Sequence, residues 1–244
     1  MNIQELHTSL LAEIIKKSGK PTQHTFLDSY LGNNHPRYAI SIPQLRFLGK
    51  NWINANALAP EEFLALLTSL IKAPSSTEKT MAGILLDYAN QQQTNFHPKL
   101  FDQWLTHLLG WAEVDALRYG HFNADYILKN WNAWNKLLLQ LNKSKNINKR
   151  RASLVLLCKP LTRSDDLRLQ ALAFQLVDQL KSEKKILITK AISWTLRSMV
   201  TLHRAPLKNY LAKNKQSLPA IAVRETLTKI KTGKKTSLTK TSKN

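Results

Sequence analysis

Apolar residues recur along most of this chain at i, i+3 and i+4, the spacing that lines one face of an α-helix. β-branched runs are few and glycine is scarce, seven in 244 residues, so strands have little support. The periodicity predicts helices over 3–17, 25–31, 43–55, 60–71, 77–90, 98–109, 111–118, 124–129, 132–141, 147–158, 165–180, 184–202, 206–213 and 218–230. Pro43, Pro60, Pro98, Pro206 and Pro219 each stand at or near the start of one of them, where a missing amide hydrogen costs nothing.

Helices of about 10 to 18 residues joined by short polar turns, without a closed four-helix pattern, set the expected fold class as all-α. The expected architecture is an α-solenoid of HEAT-like or armadillo-like repeats, curved with a basic concave face, although no strict sequence period marks the repeats. One helical domain is expected over 1–230. Residues 231–244 hold Lys, Thr and Ser with only Gly233, Leu238 and Asn244 besides, too polar to bury anything, and are expected to form a disordered basic tail.

Charge sharpens this picture. The chain has 36 Lys and Arg against 16 Asp and Glu, a balance of +20, and the tail from Lys231 onward holds only five of the cations. Nine Lys or Arg and no carboxylate lie between Asp125 and Asp165, and nine with none again between Glu183 and Glu225. Such stretches imply a polyanionic partner, since each phosphate that a cation neutralises releases condensed counterions. Nucleic acid is the expected partner. The single cysteine, Cys158, excludes an intramolecular disulfide and a multi-cysteine zinc site and reads as a small core side chain. Apolar runs such as 154–158 fall far short of the ~20 residues a membrane helix needs. A monomer in the cytoplasm, associated with the nucleoid, with no membrane, metal or nucleotide cofactor, is the expectation.

Some polar residues fall on unexpected faces. In 184–202, Ile188, Ala191, Ile192, Thr195, Leu196, Met199 and Leu202 form one apolar face, and Lys190, Trp194 and Arg197 lie opposite. Trp194 is there either to pack beneath a neighbouring helix or to offer a flat platform to sugar or base. In 147–158, Arg151 falls within the apolar face, one turn from Ile147 and Val155, where it either satisfies a buried carboxylate or helix end or holds a phosphate. Lys149 and Arg150 point elsewhere, as solvated charges. After Gly110, Trp111, Asp115 and Arg118 share a face while Glu113 points away. Asp115 serves either in an ion pair with Arg118 or Arg151, or as an anion able to stabilise the oxocarbenium-like sugar formed when an N-glycosidic bond breaks. His107, His121 and His203 lack metal-ligand spacing and read as surface or capping residues, and Trp104, Trp131 and Trp134 read as core. No phosphate-binding glycine loop, nucleophile elbow or helix-hairpin-helix turn occurs.

These residues resemble the AlkD-like DNA alkylation repair glycosylases, all-helical HEAT-like repeat proteins that excise alkylated purines. The likeness rests on Tyr30, His35, Pro36, Tyr38, Ile40, Pro43 and Arg46; on Trp111-Ala-Glu-Val-Asp115; on Arg151-Ala152; and on Lys190-Ala-Ile-Ser-Trp194-Thr-Leu-Arg197. Ala39 and Ser193 depart from it, standing where glycine is frequent, but both are small. The resemblance implies that Asp115 is the catalytic carboxylate, that Trp111 and Trp194 contact the sugar-phosphate at the lesion, and that Arg151 holds the backbone. Tyr30, Arg118, Arg150, Lys190 and Arg197 would add DNA contacts. The implied partner is double-stranded DNA carrying alkylated purines, and the implied mechanism does not flip the base into a pocket. A non-catalytic binder of damaged, bent or branched DNA and a HEAT-like protein-interaction scaffold are the alternatives.

Overall fold

The structure, a computed structural model, describes residues 2–22, 30–118 and 123–236. Most of the helix expected over 25–31, together with His121 and residues 237–244 of the expected tail, lies outside the described residues. Among the described residues the chain is helical throughout. Its helices are α1 (Ile3–Ser18), α2 (Ile42–Ala55), α3 (Pro60–Lys72), α4 (Ser76–Tyr88), α5 (Lys99–Trp104), α6 (Gly110–Ala116), α7 (Ala124–Lys129), α8 (Trp131–Asn142), α9 (Ile147–Val155), α10 (Cys158–Arg163), α11 (Leu167–Leu180), α12 (Ile186–Ser198), α13 (Arg204–Asn214) and α14 (Ala220–Thr232). The antiparallel bridge of Thr22 with Arg37 is the one extended pairing among them.

Two expected boundaries moved for identifiable reasons. The helix expected over 147–158 is split into α9 and α10 at Leu156 and Leu157. Pro160 follows four residues after Leu156, so it offers that carbonyl no amide and its ring crowds it, which breaks the helix there. The helix expected over 98–109 ends at Trp104, in the 3-residue turns of Thr106 N–H on Gln103 O and His107 N–H on Trp104 O. At the C-terminus α14 runs through Thr232 and closes on Gly233, whose φ of 73° is left-handed. Lys235 then turns back to within 3.5 Å of Glu225.

The chain divides into two compact units, Met1–Phe122 and Asn123–Asn244. In the first, α3 packs on α1 and α4, and α4 packs on α2 and α6. Leu6, Leu10 and Ile14 of α1 meet Phe63, Leu66 and Leu70 of α3 in a fully buried seam, each such side chain contributing about 1.5–3 kcal/mol. Helix α4 is buried almost all round, and its polar residues are satisfied locally. Glu78 accepts from His7 Nε2 at 2.9 Å and from the Ser75 hydroxyl, and Lys79 Nζ donates to Ile71 O at 2.7 Å, at the C-terminal end of α3. Gly83 lets α4 lie directly against α6, since a Cβ there would come within 2.3 Å of Ala116 O. That approach fixes the height of α6, the helix that bears Trp111 and Asp115.

In the second unit α12 is central and packs on α9, α10, α11 and α14. Ile188, Ala191, Ile192, Thr195, Leu196 and Met199 are buried as the periodicity required. Leu202, expected on the same face, is instead 42% exposed, because α12 ends at Ser198 and the turn that follows carries Leu202 outward.

Candidate active site

Helix α6 starts at Gly110 and presents Trp111 and Asp115 one turn apart on the same side. Trp111 is half-buried, and Asp115 is only 6% exposed. Tyr30, 62% exposed, sets its ring edge-on to Trp111, with centroids 5.4 Å apart and planes at 79°. The Trp111 indole N–H donates to Tyr30 O at 2.7 Å. Thus two aromatic rings from distant parts of the sequence and a carboxylate form one local arrangement. Arg118 lies half-buried just past α6, its backbone N–H on Asp115 O.

Glu113, which the helical wheel turned away from this face, is fully buried and anchors the arrangement from behind. Its Oε2 accepts from Leu109 N–H at 2.8 Å, satisfying the amide of the N-cap residue, and its Oε1 lies 2.8 Å from His35 Nδ1. Asn33 Nδ2 donates to Leu109 O at 3.3 Å. Gly110 has a φ of 68°, and a Cβ on it would sit 2.0 Å from Leu31 O. Behind this, burial holds the Lys79 ammonium below its ordinary range, although Glu113 and Glu78 pull the other way.

In the second unit Arg151 is buried on α9, as its apolar-face position required, and its Nη1 donates to Leu187 O at 2.7 Å in the first turn of α12. Trp194 is half-buried on α12, and Lys190, one turn earlier, is exposed. Arg197 shares their side of the helix but α14 covers it: its Nε lies 3.3 Å from Glu225 Oε2, and burial, against the pull of Glu225, lowers its pKa. Arg150 is not a solvated charge. Its Nε and Nη2 take both oxygens of Glu183 at 2.6 and 3.1 Å, and its Nη1 also donates to Ser144 O at 2.7 Å. Of the cations expected at DNA, Lys190 is exposed and Arg118 half-buried, while Arg150 and Arg197 bind acids of the chain itself.

The model of the family described as DNA alkylation repair enzyme matches residues 11–230. The chain belongs to that family. Among solved structures it is similar to a predicted DNA alkylation repair enzyme from Enterococcus faecalis, with 16% identity over 83% of this chain and 92% of the other and a TM-score of 0.65, a likeness of fold. No curated protein matches the chain. The all-helical architecture agrees with the helical-repeat solenoid of DNA alkylation repair proteins, and membership carries a role in alkylation repair.

Several residues of the alkylation repair resemblance prove to be fasteners. His35 holds Glu113; Pro36 O accepts from Ser76 N–H at 2.9 Å; Tyr38 N–H donates to Thr77 Oγ1 at 2.9 Å; and Arg46 pairs with Asp87 at 2.8 Å. Together they tie the segment after Tyr30 to α4 and α6. Ser193, standing where glycine is frequent, uses the difference: fully buried, it donates its hydroxyl to Glu225 Oε2 at 2.6 Å.

The other singled-out residues divide. Trp104, Trp134 and Cys158 are core, whereas Trp131 is half-buried with the Arg168 guanidinium 5.5 Å from its ring centroid. His107 is exposed. His203 stands at the N-cap of α13 but is buried, its Nε2 bonded to Ser164 O at 2.9 Å. Among the described residues no cluster of three His, Cys, Asp or Glu stands ready for a metal, and no helix is long and apolar enough to cross a membrane.

Proposed function

We propose that this family member is a monofunctional DNA glycosylase that hydrolyses the N-glycosidic bond of cationic N3- or N7-alkylpurines in duplex DNA without drawing the base into a pocket. The observation that carries the reading is the local arrangement on α6: Asp115 held one turn from Trp111, whose indole is locked to Tyr30 O and whose ring meets Tyr30 edge-on.

The chemistry asks little beyond this. An alkylated purine already bears positive charge, so the C1′–N bond breaks with its electron pair going to the base, which leaves neutral, and an oxocarbenium-like sugar remains. The Asp115 carboxylate stabilises that cation and orients the water that adds to C1′, whose proton passes to Asp115 or solvent. Tyr30 and Trp111 offer ring faces and edges to the deoxyribose. On the second unit, Trp194 contacts the sugar-phosphate chain, Arg151 binds phosphate, and exposed lysines such as Lys190, Lys184 and Lys185 follow the duplex backbone. The protein acts on DNA as a monomer and needs no cofactor.

The test is release of free alkylpurine from methylated duplex DNA by the native protein and by Asp115→Asn. Release by the native protein, and its loss in Asp115→Asn with duplex affinity kept, is the expected result. Release by neither protein sinks the proposal, and tight, salt-dependent binding without abasic product would then mark a non-catalytic binder.

A further inference from the structure

The segment carrying Tyr30 and the first turn of α6 are joined at several points that all converge on the same few residues. Trp111 donates to Tyr30 O, Asn33 donates to Leu109 O, and Gly110 admits Leu31 O at a distance that only a residue without Cβ permits. The remaining joint is a buried carboxylate: Glu113, with 0% of its side chain exposed, bridges Leu109 N–H and His35 Nδ1 by hydrogen bonds. A carboxylate placed wholly out of water is costly, and an apolar side chain at this position would pack as well. The helix end alone does not account for it either, because one carboxylate oxygen suffices for the Leu109 N–H. The second oxygen is spent on the segment that bears Tyr30.

We infer that Glu113 and His35 are positioning residues that lock the Tyr30 segment onto α6 and thereby fix the Tyr30–Trp111 edge-on pair beside Asp115. The inference rests on the reading of Trp111 as a DNA contact proposed above. The pair touches no substrate; it acts through Trp111 and Tyr30. With the clamp in place the indole N–H is tied to Tyr30 O and the ring cannot rotate about its own side-chain bonds. Without it the segment keeps its weaker joints and the aromatic pair samples other geometries. Catalytic alignment is sensitive to displacements of this size, a shift of about 1 Å costing up to ~100-fold in rate.

The experiment compares the full chain with Glu113→Ala, Glu113→Gln and His35→Ala. The first readout needs no activity: hydrogen exchange of the Trp111 indole N–H by NMR, its signal assigned by its loss in Trp111→Phe. Exchange roughly tenfold faster or more in Glu113→Ala and His35→Ala is expected, with Glu113→Gln retaining an acceptor for Leu109 N–H and an amide for His35 and returning most of the protection. The second readout is single-turnover excision against duplex affinity. The rate is expected to fall about tenfold or more while the Kd for undamaged duplex changes less than about twofold, because the surface lysines are untouched. His35→Ala is the variant that decides if Glu113→Ala fails to fold. Unchanged indole exchange in His35→Ala overturns the inference. So does a rate loss in Glu113→Gln as large as in Glu113→Ala, since that would reflect the charge and not the geometry. If the native protein releases no alkylpurine, the glycosylase reading fails, and the exchange measurement still decides whether the clamp positions Trp111.

Discussion

Glu225 reaches from α14 to Arg197 on α12, 3.3 Å away, and receives the Ser193 hydroxyl at 2.6 Å on the same oxygen. Glu183 does the same for Arg150. The two carboxylates that bound the second acid-free basic stretch thus each fold onto an arginine, Glu225 onto Arg197 of that stretch and Glu183 onto Arg150 of the first. The stretches are acid-free along the chain but not in space. What remains to face a polyanion is a set of exposed lysines with the exposed Arg163, Arg204 and Arg224, which suit non-specific phosphate contacts.

Removing Glu225 leaves the buried Arg197 guanidinium and the Ser193 hydroxyl without their acceptor. With side chains only 15% and 11% exposed for Arg197 and Glu225, Glu225→Ala should cost about 2–4 kcal/mol, read as a fall in the urea midpoint without a change in slope. The double replacement Arg197→Met with Glu225→Leu should recover most of that loss, because no charge is then left buried alone.

Much of this was legible in the sequence where it depended on a single helix. The one-turn spacing of Trp111 and Asp115, the buried position of Arg151 and the apolar face of α12 all follow from periodicity. The helical wheel also turned Glu113 away from Trp111 and Asp115, and Arg197 away from the apolar face of α12, but a wheel cannot name what waits on the other side. His35 is Glu113's partner across the first unit, and α14 covers Arg197 from beyond the next helix, contacts that no local pattern encodes. The break before Pro160 is different: its cause is printed in the sequence, in a proline four residues after Leu156, and the apolar run simply masked it.

Lys190 and Arg150 should separate binding from stability. Lys190 is exposed on the side of α12 that carries Trp194, so Lys190→Ala should reduce the slope of log K for duplex DNA against log salt by about 1. Arg150→Ala should leave that slope unchanged and instead cost about 1–3 kcal/mol of stability, since it removes both bonds to Glu183 and those to the carbonyls of Ser144 and Lys145. A titration over 50–300 mM salt, with about a sixfold span, checks both together.

Acid should find Glu78. Burial raises its pKa, but the bonds from His7 and Ser75 together outweigh burial and hold it below its ordinary value of 4.5. The folded state therefore favours the ionised form. Its contribution is fully present above about pH 4.5 and is lost as pH falls through the lower folded value. Glu78→Gln should be less stable than the native protein at pH 7, and the gap in melting temperature should narrow as pH drops below 4.5. A gap that stays constant to pH 3 would show that Glu78 takes no part in the acid response.

Two glycines hold α6 in place from opposite ends, and their replacement should divide stability from function. At Gly83 a methyl group would meet Ala116 O at 2.3 Å, backbone that cannot rotate aside, so Gly83→Ala must push α6 away from α4. At Gly110 the methyl would meet Leu31 O at 2.0 Å, and the φ of 68° adds left-handed strain of about 1 kcal/mol or more. Both changes should destabilise the protein by more than ~2 kcal/mol. They differ in what they displace. Gly110→Ala separates the Tyr30 segment from the first turn of α6, so it should free the Trp111 indole from Tyr30 O. Gly83→Ala moves α6 at its far end, nearer Asp115, and leaves the joints of Leu109, Gly110 and Glu113 to the Tyr30 segment intact. Indole exchange at Trp111 should therefore rise sharply in Gly110→Ala and little in Gly83→Ala at temperatures where both remain folded, whereas alkylpurine excision should fall in both. Equal indole exchange in the two variants would mean that α6 and the Tyr30 segment do not move as one piece.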